Sequence, residues 1–144
     1  MPSKIYSFKK GFTLIEILIV VVLLGLAMVA IVASNAAFTQ ATVQAAQLST
    51  AEFLIEQIRE LTALLPYNAV DDFDGAVFNP PIDSQRRELT DFSDYSQAVT
   101  VENVSANNFQ QAVEDHSSDF VRVTVKIFYN NSEIMNTSWI RSVD

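Results

Sequence analysis

The chain has 144 residues, with 9 basic and 17 acidic side chains and a formal charge of −8. That length holds one ordinary domain, or a membrane anchor with a small one. Lacking cysteine, it excludes disulfides, thiolate zinc sites and thiol catalysis; the single histidine, His116, cannot build a two-histidine metal site, and an acidic chain with three glycines suits neither nucleic acid nor a phosphate-cradling loop.

Apolar content of 49% is high for an acidic chain, and the excess sits at one end. Ile17 to Ala33 is a run of 17 residues without a charge or a strongly polar side chain, and starting at Phe12 extends it to 22. A bilayer core needs about 20 residues in helical form. Residues 1–11 carry Lys4, Lys9 and Lys10 and no acid, so the expected orientation keeps the N-terminus in the cytoplasm and places the rest outside. Ser34-Asn35-Ala36 would suit signal peptidase, but the apolar run exceeds an ordinary signal core of about 7–15 residues, and an anchor is the better reading. Glu16 inside this run is costly in lipid. Composition leaves two explanations open, a side chain reaching back to the headgroups or one that awaits a positive partner from another chain.

The stretch Lys9-Lys10-Gly11-Phe12-Thr13-Leu14-Ile15-Glu16 resembles the processing site of type IV prepilins and of type II secretion pseudopilins. The likeness covers about the first 30 residues: a short basic leader, a glycine at the cut, Phe-Thr-Leu-x-Glu, then a long apolar helix. It implies cleavage between Gly11 and Phe12 by a prepilin peptidase and N-methylation of Phe12. Removing the leader takes the formal charge from −8 to −11. It also implies that Glu16 pairs with the N-terminal amine of a neighbouring subunit during assembly, since a buried charge is tolerable when paired. Gly25 matches a small residue common in this helix and suits close helix packing. Where the family often has a proline near the end of the run, this chain has Ala33, which speaks against local melting and against a major pilin.

The helix is expected to continue past the membrane. Leu48, Ala51, Leu54, Ile55, Ile58, Leu61, Thr62 and Leu65 recur at three- and four-residue steps and mark one apolar face. No proline interrupts Phe12 to Leu65, a span of 54 residues or roughly 80 Å, and Pro66 supplies the stop. The domain reading is therefore a leader 1–11, a transmembrane half 12–33, an amphipathic half 34–65 and a head 66–144. Within the head, 66–96 is rich in Pro, Asp, Asn and Ser and reads as an irregular connection. Strands follow at Gln97–Val104, at Phe120–Tyr129 with Val121, Val123, Val125 and Ile127 on one face, and at Glu133–Arg141 after an Asn130-Asn131 turn. Asn108–Asp115 is read as one helical turn. The fold class is α+β and pilin-like, a long N-terminal helix packed on a small antiparallel sheet.

Asp71-Asp72-Phe73-Asp74-Gly75 is the most suggestive cluster in the head. Asp71, Asp72 and Asp74, with Asp83, offer some of the six to eight oxygens calcium takes, although the twelve-residue ligand loop is missing and a solvated acidic turn is the plainer account. Arg86-Arg87 reads as a turn paired with Asp83 and Glu88, or as a contact to a neighbour's acids. His116 has no nucleophile and base around it and reads as a surface residue. Trp139 and Phe128 read as core.

These readings converge on a filament subunit of a type IV pilus or type II secretion-like system, a minor pilin or pseudopilin rather than an enzyme. The expected partners are other pilin or pseudopilin subunits, the prepilin peptidase and an inner-membrane assembly platform. The alternative is a periplasmic or membrane-tethered binding domain behind an ordinary signal or anchor segment.

Overall fold

A computed structural model of the chain describes residues 11–114 and 117–142. It has one long helix, α1 (Leu14–Leu64), a four-residue helix, α2 (Tyr67–Val70), and strands β1 (Val77–Phe78), β2 (Tyr95–Ser105), β3 (Asn108–Ala112), β4 (Phe120–Tyr129) and β5 (Ser132–Ser142). The chain divides at Val43/Gln44 into two units.

In the first unit α1 is exposed on every side, and its apolar residues from Leu14 to Val43 touch no core. The helix is long and apolar enough to cross a membrane. Thr39 and Thr42 return their hydroxyls to the carbonyls of Asn35 and Phe38, each at 2.9 Å, so neither presents an unsatisfied donor.

In the second unit the helix, from Gln44 on, becomes one-sided. Ala51, Leu54, Ile55, Ile58, Leu61 and Thr62 are buried at its three- and four-residue spacing. They share a core with Val99 and Val101 of β2 and with Val121, Val123, Val125 and Ile127 of β4. Leu65 packs against this core, whereas Leu48, expected on the same stripe, is 43% exposed and lines an open cleft with Gln44, Gln47 and Ile134 of β5.

The sheet runs β1-β2-β4-β5, all antiparallel, with β3 pairing on β2. Its register stacks Val101 beside Val123 and Trp139, and Val99 beside Val125 and Thr137, so a row from each strand faces the helix. The β4–β5 turn has Asn130 at φ 47° and Asn131 at φ 65°, the left-handed pair that a two-residue hairpin needs and that asparagine tolerates. The outer edge of β2 is masked piece by piece. β1 pairs with Gln97 and Ala98, the Ala76 carbonyl accepts the Val99 N–H at 2.9 Å, and β3 covers the far end.

The segment expected to form a helical turn at Asn108–Asp115 is instead strand β3, with Asp115 outside the described residues. Its local side-chain bonds compete with helix: Ser105 Oγ accepts the Asn107 N–H and Asn108 Oδ1 accepts the Gln110 N–H. Arg122, ion-paired with the directly opposite Glu102 at 2.6 Å, also donates to the Phe109 carbonyl and ties this hairpin to β4.

Two polar side chains tie α1 to the rest of the head. Gln97 is fully buried; its Nε2 donates to the Leu54 and Ile82 carbonyls at 2.9 and 3.2 Å, and its Oε1 accepts the Ile82 N–H at 2.8 Å. One amide thereby joins helix, strand and connection. Arg141 of β5 donates to the carbonyls of Thr62 and Leu65 at the C-terminal end of α1, which has no basic residue in its last turn.

Replacing Gln97 with Leu leaves the buried Ile82 N–H without that acceptor. It should lower the unfolding free energy of the head by about 1–3 kcal/mol, measured by denaturant titration of the detergent-solubilised chain with Trp139 fluorescence as the signal.

Candidate processing and assembly site

Gly11, Phe12 and Thr13 precede the helix and Leu14 opens it. Thr13 acts as the N-cap: its Oγ1 accepts the Glu16 N–H at 3.3 Å and its carbonyl accepts the Ile17 N–H at 3.2 Å. Thr13-Leu-Ile-Glu16 is thus a capping-box sequence, and it sets the carboxylate in the first turn, where the helix dipole favours negative charge. Gly11, Phe12, Thr13 and Glu16 line one open cleft of about 520 Å³, and Phe12 is 74% exposed. Gly11 and Phe12, between which cleavage is expected, are therefore neighbours of Glu16 in space as well as in sequence. Thr13 is the motif residue whose role emerges only with the structure, and its Thr-x-x-Glu spacing to Glu16 is the signal for it in the sequence.

Among the described residues nothing crowds the two motif glycines. A Cβ added at Gly11 or at Gly25 would meet nothing within 4 Å, and neither residue has a left-handed φ. Glycine inside a helix costs about 1 kcal/mol relative to alanine.

The acidic loop of the head does not come together as a metal centre. Among the described residues no three His, Asp or Glu side chains group closely enough to hold a cation. Asp74 Oδ1 accepts the Val101 N–H at 2.9 Å, so this carboxylate extends the masking of the β2 edge. Asp83 closes a turn: Oδ1 accepts the N–H groups of Gln85 and Arg87, and Oδ2 accepts from the Arg87 guanidinium at 2.8 Å. The oxygens of Asp74 and Asp83 thus serve backbone N–H groups and the Arg87 guanidinium. Arg87 pairs with Asp83, and Trp139 packs on the core beneath Arg59, whose guanidinium lies 5.1 Å from the ring centre. His116 and the leader lysines lie outside the described residues.

The family model of the prokaryotic N-terminal methylation motif matches residues 7–32, which contain the capped turn, Glu16 and Gly25. The chain carries the type IV prepilin-like signature. No curated protein and no solved structure matches it. This signature on a long apolar helix, with an antiparallel sheet packed on the helix beyond Gln44, is an α+β pilin-like arrangement and is consistent with a membrane-anchored protein.

The hydrogen bond from the Arg87 N–H is the largest influence on the Asp83 carboxyl and, with the Gln85 N–H and the Arg87 guanidinium, holds it below the usual carboxylate range against the opposing effect of burial. A depressed folded-state value means that its contribution to stability is complete above the usual carboxylate range and is lost as pH falls through the folded value. Asp83→Asn should therefore lower stability at neutral pH, and the gap to the wild type should close on acidification. Unfolding midpoints of both chains measured down a pH series check this.

Proposed function

We propose that this chain is a structural subunit, a minor pilin or pseudopilin, of a type IV pilus or type II secretion-like filament. The observation that carries this reading is the methylation motif at residues 7–32 leading directly into a 51-residue helix. Prepilin peptidase cuts between Gly11 and Phe12 and methylates the new amine. Before assembly the apolar half of α1 holds the protein in the inner membrane, with the lysine-bearing end in the cytoplasm and the head in the periplasm. Assembly on the inner-membrane platform then transfers it into the filament, where other subunits surround the same helix.

The chemistry of this reading is adhesion and registration, with no reaction catalysed by the chain and no cofactor. Glu16 meets the amine of a neighbouring Phe12, which sets the axial step between subunits and removes two unpaired charges from an apolar surrounding. The open space around Gly25 supports a role in close approach to another helix, because among the described residues nothing lies within 4 Å of a Cβ placed there. Ala33 in an unbroken α1, together with the small head, favours a minor subunit or pseudopilin.

Intact-mass measurement of membrane-extracted protein tests the reading. A chain beginning at Phe12 with one added methyl group, found only when the peptidase is active, is the expected result. A chain beginning at Ala37, or one indifferent to the peptidase, overturns it in favour of a released or tethered periplasmic domain. Glu16→Gln should still be cleaved but should enter filaments about tenfold less or worse, scored by the ratio of sheared filament to membrane-bound protein.

A further inference from the structure

Six cationic side chains lie among the described residues, and five of them have an oxygen partner. Arg59 pairs with Glu56, Arg87 with Asp83, Arg122 with Glu102 and Lys126 with Glu133, while Arg141 holds helix carbonyls. Arg86 is the exception among the described residues: its guanidinium lies 5.0 Å from the centre of the Phe73 ring and meets no oxygen. Its backbone is also unusual, with φ at 60° in the tight turn closed by the Asp83 N–H on the Arg87 carbonyl and the Arg86 N–H on the Asp83 carbonyl. That position favours glycine, and a long side chain there opposes the local backbone preference.

The arginine lines a cleft of about 240 Å³ together with Phe73, Phe78, Ile82, Ala76 and Asp72. The cleft is thus apolar, with a cation and an acid among its lining groups. Its volume is on the scale of one large side chain.

We propose that this cleft binds the C-terminal apolar residue of a peptide chain. The terminal carboxylate meets the Arg86 guanidinium, the apolar side chain enters against Phe78 and Ile82, and Asp72 accepts the N–H of the terminal residue. A planar guanidinium suits a carboxylate through two parallel hydrogen bonds. This reading accounts for an unpaired arginine in a backbone setting that would take glycine more readily. It is independent of the filament assignment, which rests on the other end of the chain.

The test uses the full-length, detergent-solubilised, 15N-labelled protein and two probes, N-acetylphenylalanine and its amide, which differ in the carboxylate. The acid should shift the amide resonances of Ala76, Phe78 and Ile82 in a saturable way, with binding at least about tenfold tighter than for the amide. Arg86→Gln, which keeps most of the stem, and Arg86→Gly should both abolish the preference, with the melting temperature of Arg86→Gly unchanged or raised. 3-Phenylpropanoate, which lacks the N–H offered to Asp72, should bind more weakly; equal binding overturns the peptide-end assignment in favour of a small organic acid. Equal binding of acid and amide, no localised shifts, or a melting temperature lowered in both variants overturns the proposal, the last by showing that Arg86 serves only to cover Phe73.

Discussion

Burial of one helix stripe against one row of valines is the contact on which the head depends. Leu54, Ile58 and their neighbours lie in a common core with Val99, Val123 and Val125, and each fully buried aliphatic side chain contributes about 1.5–3 kcal/mol. The connection after α1 adds Val70, Phe73 and Ile82 to the same core. Its ends are then pinned by polar groups that the core itself positions. Gln97 can reach both Leu54 and Ile82 only because β2 lies under the helix, and each of its bonds replaces water that burial has removed. Packing sets the distances, and the buried amide makes one arrangement of helix, strand and connection better than the rest.

The elements legible in the sequence are those with one buried face. Phe120 to Tyr129 alternates cleanly, and β4 has those bounds, because its valines have to point at the helix. The run from Ala51 to Thr62 was readable for the same reason. Strand β3 carried no such signal: all five of its residues are exposed, so neither period is written into them, and its conformation comes from pairing with β2 and from Arg122. The exposure of Leu48 was equally hidden, since a stripe in the sequence does not say how tightly the opposing strand closes on it.

The N-terminal site was readable because its parts are adjacent in sequence. Gly11, Phe12 and Glu16 form a local motif, and a capped first turn needs only four consecutive residues. The acidic loop was open to two readings for a related reason. Asp and Gly gather where a chain turns, and the same carboxylates that could bind a cation can accept backbone N–H groups. Which of the two occurs depends on donors far away in sequence, such as the Val101 N–H that Asp74 accepts across 27 positions.

The bond between Arg141 and the end of α1 has a consequence for the order of events during synthesis. The carbonyls of Thr62 and Leu65 find their cation 79 and 76 residues further along the chain. While the chain is emerging, the first element is made early and finished late. Its last turn gains these two bonds only once β5 has been translated and Arg141 can reach it. The end of α1 thus depends on strand β5, and a chain stopped before Arg141 would leave both carbonyls without that cation.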